Sequence, residues 1–350
     1  MAAEKGNNTK KKIGIALQGG GAHGAFAWGV MDKLLEDGRF DIRGVSGTSA
    51  GGMNAASCIQ GLLKGGEKEA RNTLQTYWKS MSEFSKETSP FIKGRNPMDV
   101  KNGNFNLNHT LGFMMMGMLQ SQMSPYEFNP NNMNPFREFV TKFFDFDLIR
   151  NNEDRKIFLG ATHVRTGRVK VFRNADFSPD TLLASACLPF IFQAVKVKGE
   201  YYWDGGFIAN PAIYPVIQET DANDIVLVQL TNTHCGNLPK TKDEVVNRFK
   251  EITYNGCLVR EMRAIHYITK LIDEGIIPAD KHKRVNMHVI KDEEAFEGLN
   301  LTSALNTEWE FLQFLFNKGR DAAHRWIEAN YSKVGSKHSI DEDMFSDFMS

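Results

Sequence analysis

A serine held between two glycines, in Gly47-Thr48-Ser49-Ala50-Gly51, is the side chain of this sequence best suited to nucleophilic attack. The apolar run Ile42 to Ser46 precedes it and a helix-like stretch follows. Strand, sharp turn, serine and helix lift a hydroxyl out of a sheet and expose it. Glycines on either side admit the close chain contacts that such a strained turn needs. The following helix points its positive end back at the serine, where an alkoxide or oxyanion is favoured.

Two other segments bear on that hydroxyl. Gly19-Gly20-Gly21-Ala22-His23-Gly24 directly follows a short apolar strand and satisfies the spacing G-x-G-x-x-G. One reading is a dinucleotide loop, which asks for an acidic residue at the end of the second strand to hold the ribose. That strand, Ile42–Ser46, runs into the serine turn instead. The same glycines suit the presentation of backbone N–H groups to an oxyanion. If the first two strands are neighbours, one site then accounts for both motifs.

The other segment is Trp203-Asp204-Gly205-Gly206, ahead of Asn210-Pro211. Asp-Gly-Gly is an ordinary turn composition. Its glycines also let an aspartate approach another loop closely, and a carboxylate within reach of Ser49 can accept its proton. Burial would raise the pKa of that carboxyl, whereas hydrogen bonds from neighbouring N–H groups would lower it. A rival base is His234, which follows Asp204 in the chain and completes the order Ser, Asp, His. In the hydrolases with that order, however, the nucleophile comes after several strands rather than after the second.

The elements that must position these groups alternate. Ile13–Gln18 reads as a core strand, Ala25–Glu36 as a helix with Gly38 beyond its end, and Ile42–Ser46 as a second strand. Gly52–Leu63 and Glu67–Glu83 read as helices. This βαβα order predicts a parallel sheet with right-handed crossovers, an α/β fold. Regular periodicity is lost over residues 85–135, a segment rich in Asn, Pro, Gly and Met and suited to a cap over the site. Its methionines, at 113–123, serve either to fill gaps under a lid or to meet acyl chains and a lipid interface.

Further on, a helix near Pro135–Phe144, the strand pair Lys156–Val164 and Val169–Arg173, and a helix at Thr181–Cys187 are expected. A hairpin-like pair, Val195–Val197 and Tyr201–Trp203, precedes the buried strand Asp224–Thr231. Amphipathic helices at 242–274 and 303–331 flank the strand Val285–Ile290. His266, His288 and His324 fall in helical or strand contexts without evident partners.

The chain has 350 residues, with 42 Lys plus Arg balancing 42 Asp plus Glu, so its charge gives no reason to expect a nucleic acid as partner. Its four cysteines, Cys58, Cys187, Cys235 and Cys257, have no metal-ligand spacing and read as reduced thiols of a cytoplasmic environment. No apolar run is long enough for a membrane span. Residues 1–12 read as a disordered basic tail rather than a signal peptide, because the apolar part behind them carries Gln18, three glycines and His23. The division expected is thus a catalytic domain over 13–240, a helical extension over 241–333 packed on it, and a polar acidic tail over 334–350.

Taken together, the glycine loop 19–24, the serine motif 47–51, the block Ala184-Ser185-Ala186-Cys187-Leu188-Pro189 and Asp204-Gly205-Gly206 resemble the patatin-like phospholipases in order and rough spacing over about residues 13–230. The resemblance implies a three-layer α/β/α fold around a mostly parallel sheet, and lipid acyl hydrolysis of the phospholipase A or esterase type without metal or cofactor. It further implies a dyad in which Ser49 attacks and Asp204 takes the proton. The oxyanion hole would be made by the glycine loop at Gly19, Gly20 and Gly21, with Gly20 and Gly21 donating and Gly19 shaping the loop. Ala22, His23, Gly24, Gly47, Gly51, Gly205 and Gly206 would support these motifs, and Ala184–Pro189 would form a wall of the site. The substrate would be a lipid ester, met at a lipid surface. One departure stands out: the family often carries Arg or Lys where this chain has His23, a residue only partly charged near neutral pH. The readings left open beside the dyad are the triad with His234, a lipid-binding protein without activity, and a dinucleotide enzyme.

Overall fold

The computed structural model describes residues 10–340 apart from 93–94, 96–97, 100–101 and 279. The first half runs β1 (Lys11–Leu17), α1 (Gly24–Asp37), β2 (Phe40–Gly47), α2 (Ala50–Thr88), α3 (Leu111–Gln122), α4 (Pro125–Phe128), α5 (Pro135–Phe143) and α6 (Phe146–Arg150). The second half runs β3 (Lys156–His163), β4 (Val169–Phe172), α7 (Pro179–Ser185), β5 (Val195–Val197), β6 (Glu200–Asp204), α8 (Tyr214–Glu219), β7 (Asp224–Val228), α9 (Lys242–Asp273), β8 (Asn286–Ile290) and α10 (Trp309–Asn330).

The strands form one mixed sheet in the order β5-β6-β3-β2-β1-β7-β8, with β4 paired to β3. The five strands from β3 to β8 along this path are parallel, and β4, β5 and β6 are added antiparallel. Alternate residues of the central strands face opposite layers, as the period-2 geometry of a strand requires. Ile13, Ile15 and Leu17 of β1, with Val226 and Val228 of β7, enter the core shared with α1, α2 and α10. Ala16, Ile225 and Leu227 enter a second core with Ile213, Val216, Leu258 and Met262. Helices therefore cover both faces, and the fold is the three-layer α/β/α arrangement.

Register fixes where the loops emerge. Leu17, the last residue of β1, pairs with Gly47 of β2 and with Val228 of β7. The glycine loop and the serine turn thus leave the sheet side by side at the carboxyl ends of neighbouring parallel strands, where open α/β sheets hold their ligands. The β2–β3 ladder stops at Gly47↔Leu159, and β6 takes up pairing with β3 at Ala161↔Asp204. Asp204 is thereby brought level with the serine turn.

Several boundaries differ from the sequence reading. The first strand starts at Lys11 rather than Ile13, because the Lys11 ammonium donates to the Tyr331 and Val334 carbonyls at 2.8 and 2.6 Å. A cation at the C-terminal end of a helix is favoured by the helix dipole, and this contact draws the basic segment into the sheet. The rest of the expected N-terminal tail, residues 1–9, lies outside the described residues.

Helix α2 runs through both expected helices, bending at Gly65 and Gly66, and continues to Thr88. The methionine-rich segment, read as irregular, forms helix α3, capped by Thr110, whose side chain accepts from Phe113 N. Periodicity hid this helix because it is apolar on more than one face. At the other end Val334 is buried and Gly335 N–H bonds to Asp224, so residues 334–340 pack on the sheet, and 341–350 lie outside the described residues.

Candidate active site

Ser49 stands at the junction of β2 and α2 with φ 55° and ψ −124°, a left-handed conformation rarely taken by a residue with a side chain. The turn is that tight because Gly47 and Gly51 touch. A Cβ on Gly47 would lie 2.3 Å from Gly51 C, and one on Gly51 would lie 2.3 Å from the Leu17 carbonyl oxygen. Strain of this kind survives only where surrounding bonds over-determine it. Here the Ser49 N–H donates to the carbonyl and hydroxyl oxygens of Ser185, both at 3.1 Å, and the Ser185 hydroxyl donates to Gly160 O at 2.7 Å. Thr48 donates to Ala209 O at 2.8 Å. Sequence reasoning placed the Ala184–Pro189 block at the wall of the site, and the part played by Ser185 is to pin the turn.

The Ser49 side chain bears on the Asp204 carboxyl, helping to hold its pKa down, and both line the same cavity. Asp204 is 2% exposed and also accepts from Gly206 N–H at 2.7 Å. Burial pushes its pKa up to about 6, against the opposing pull of the Gly206 bond, the Ser49 bond and the charge of Lys250. The carboxyl is therefore ionised at neutral pH and more basic than a free aspartate. Gly205 lets the loop fit, since a Cβ there would stand 2.4 Å from Gly160 O.

The glycine loop presses directly on the serine turn: a Cβ on Gly19 would meet Thr48 O at 2.5 Å and Ser49 Cβ at 2.9 Å. Gly19 N–H is taken by Asn210 Oδ1 at 2.6 Å, and Asn210 Nδ2 returns a bond to Gly19 O at 3.3 Å. Gly19 therefore has no donor to spare and shapes the loop. Among the described residues no bond uses the N–H groups of Gly20 or Gly21. Asn210, downstream of the DGG turn, clamps the glycine loop, a role that no motif in the sequence marks. Gln18 ties the loop to the next strand, its Oε1 accepting from Leu230 N and Thr231 N at 2.7 and 3.1 Å.

His23 is half-buried, bonded to Ser303 Oγ at 2.7 Å and packed 5.4 Å from the Phe296 ring. Burial, then the nearby charge of Lys250, pushes its pKa down to about 3. It is neutral and supplies no charge to the loop. Ala22 is buried, and a Cβ on Gly24 would press to 2.8 Å of Ala50 Cβ, so both serve the packing of the loop on α1 and α2.

The histidine alternative is not assembled. His234 is exposed, bonds to Thr233 Oγ1 at 3.3 Å and is not part of the cavity wall at Ser49. His288 corrects the expectation of a partnerless residue: it is buried between Asp224 Oδ1 and Ser339 Oγ, each at 2.9 Å. This cluster lies at the start of β7, the opposite end of that strand from the loop that Gln18 holds, and it binds the C-terminal segment to the sheet. All four cysteines are free.

Ser49, Asp204 and the three loop glycines open into one cavity of about 360 Å³. Phe113 and Met116 of α3, Leu188, Phe190 and Ile191 after α7, and Val246, Phe249, Lys250 and Tyr254 of α9 form much of its wall. A mostly apolar pocket with a few convergent polar groups is the usual form of a small-molecule site. Asp204 and Lys250 are the charged side chains among the described residues of the wall. Lys250 and Tyr254 were missed because no motif surrounds them and α9 reads only as a long helix.

An α/β/α sheet that presents a strained serine, a buried aspartate and a glycine loop at the ends of its parallel strands defines a class. The family model of the patatin-like phospholipases matches residues 15–217, and the chain belongs to that family, one of lipid hydrolases. None of the curated proteins compared matches it. Among solved structures it is similar to VipD from Legionella pneumophila, at 14% identity over 89% of this chain and 67% of that one, with a TM-score of 0.35. It is also similar to the heterodimeric ExoU–SpcU complex from the type III secretion system of Pseudomonas aeruginosa, at 16% identity over 91% and 52%, with a TM-score of 0.32. The chain thus spans about half the length of the latter.

Among the described residues, no helix is long and apolar enough to cross a membrane.

Proposed function

We propose that the protein is a serine acyl hydrolase that cleaves carboxylic esters of lipids through Ser49 and Asp204. The observation that carries this reading is the meeting of Ser49 and the buried Asp204 carboxylate on the wall of one apolar cavity, beside Gly20 and Gly21, whose N–H groups no bond uses among the described residues. Ser49 Oγ attacks the ester carbonyl carbon and its proton passes to Asp204. The N–H groups of Gly20 and Gly21 receive the oxyanion. Collapse of the tetrahedral intermediate breaks the ester C–O bond, and Asp204 returns the proton to the departing alcohol. Water then attacks the acyl-serine, giving its proton to Asp204, and Ser49 leaves with that proton as the fatty acid is freed. No step calls on a histidine, a metal or a cofactor. The catalytic unit of this reading spans residues 13–240, with 85–135 capping the site and 241–333 packed on the same domain, whose sheet it extends with β8. Four free cysteines favour a reducing, cytoplasmic setting.

A fluorophosphonate probe tests the reading, since it phosphonylates an activated serine. Labelling of the folded protein is expected at Ser49, located by peptide mapping; folded protein that takes up no label would overturn the proposal. The rate carries a sign as well. Asp204 accepts a proton only as the carboxylate, so labelling slows as pH falls through about 6 and levels off above it.

Contact with a lipid surface follows from helix α3. Phe113, Met116, Gly117 and Gln120 face the cavity, whereas Leu111, Met114, Met115 and Met118, spaced alike, are exposed. The helix has no charged residue. A helix apolar on both faces suits burial or a lipid phase, not water. Phe190, Val246 and Phe249 are both exposed and part of the cavity wall, which carries the apolar surface unbroken from pocket to exterior. Replacing Met115 and Met118 by Glu is expected to lower hydrolysis of vesicle lipid roughly 10-fold or more while sparing a soluble short-chain ester. An equal effect on both substrates would count against the docking role.

A further inference from the structure

Among the described residues the cavity wall carries one cation, whose role the hydrolytic chemistry leaves open. Lys250 is on α9, beyond the residues matched by the family model, and its side chain is on the wall that also carries Ser49 and Asp204. The ammonium stands 5.1 Å from the centroid of the Tyr254 ring, one helical turn on. Two carboxylates exert their charge on it, those of Asp204 and Glu251. Both are engaged elsewhere: Asp204 with Ser49 and Gly206, and Glu251 with Arg248 at 2.9 Å. Among the described residues no ion pair uses Lys250.

A half-buried cation without a counter-ion is costly in apolar surroundings. Burial draws its pKa down to about 8, so it still carries a charge at neutral pH. The space that would satisfy it is the cavity itself. Lys250 lines the cavity together with the dyad and the glycine loop, and its charge bears on both Asp204 and His23.

Resting on the hydrolase reading, we propose that Lys250 forms an anion subsite that takes the phosphate of a glycerophospholipid substrate while its ester lies at Ser49. In such a molecule the phosphate and the central ester hang on neighbouring glycerol carbons, so an ester held at Ser49 leaves the phosphate within the cavity whose wall carries Lys250. Lys250 is a specificity-determining residue in this arrangement: it binds the leaving-group side, takes no proton from the reacting atoms, and makes a phosphodiester lipid a better substrate than a neutral glyceride with the same acyl chains.

The test compares phosphatidylcholine with diacylglycerol of identical chains, each dilute in nonionic micelles, so that neither changes the net charge of the surface. Against wild type, Lys250→Met is expected to lower kcat/KM for phosphatidylcholine roughly 10- to 100-fold, the range of a lost charged hydrogen bond. Diacylglycerol turnover should fall far less, so that the ratio of the two kcat/KM values drops by about 10-fold or more. Lys250→Arg, which keeps the charge, should retain the phospholipid preference. A purely structural role, or one exerted through Asp204, would lower both substrates equally and would overturn the assignment, as would an undiminished phospholipid rate in Lys250→Met. Wild-type protein that cleaves neither lipid would instead bring down the hydrolase reading on which the assignment rests.

Discussion

Ser49→Ala is expected to lower acyl-ester hydrolysis by roughly 10⁴- to 10⁶-fold, the scale seen when an enzyme loses its nucleophile. In the proposed chemistry the substitution removes the atom that attacks. Ser185, whose hydroxyl also touches the serine turn, is buried and committed to Gly160 O at 2.7 Å. Cys187 is buried as well, and its thiol is pushed up to about 12, far from the thiolate needed for attack. The fold should be unharmed. The backbone of the turn is held by Ser185 and Thr48, through bonds in which the Ser49 hydroxyl takes no part. Thermal melting should therefore match wild type, since alanine keeps the Cβ and leaves the backbone strain at φ 55° as it was. Products from a total lipid extract, resolved by mass spectrometry, are the measurement. Fatty acid released at the wild-type rate would remove Ser49 from the chemistry.

Much of this arrangement is legible in the sequence because it is backbone-determined. Gly47 and Gly51 report a contact in which a Cβ cannot exist, and Gly19 reports the approach of one loop to another; both leave a glycine in the sequence. The strands β1, β2 and β7 are short buried runs bounded by turns, so their order and their parallel pairing follow from βαβ logic. What escaped notice depends on tertiary distance. Asn210 clamps Gly19 across 191 residues, and neither residue carries a mark of the other. Lys250 looks like any lysine of an amphipathic helix until the helix is laid against the cavity. Helix α3 was invisible for the opposite reason: with apolar residues toward the cavity and toward the exterior, it has no polar face to reveal the period of 3.6. The Lys11 contact belongs to the same class, since it requires the C-terminal end of α10 to arrive beside β1.

The base is the point on which dyad and triad part, and Asp204→Asn set against His234→Ala separates them. Asparagine keeps the size of the side chain and an oxygen to accept from Gly206 N–H, so the DGG turn should stay in place. It has no basic site for the serine proton. The loss expected is roughly 10³- to 10⁴-fold in kcat/KM, within the range of general-base catalysis. Fluorophosphonate labelling of Ser49 should slow in parallel, and the inflection near pH 6 should vanish because the group that titrates there is gone. His234→Ala should change kcat/KM by less than about twofold, the effect of an exposed substitution outside the site. A histidine base would reverse this ranking, with the larger loss at His234. It would also need that side chain to leave Thr233 and cross to a cavity whose wall it does not join. Full activity in Asp204→Asn would refute the dyad. The neutrality of His23 bears on the same point: with its pKa pushed down to about 3, it cannot donate a proton to the leaving group at neutral pH, and the proton that Asp204 takes from Ser49 is the one available to the departing alcohol.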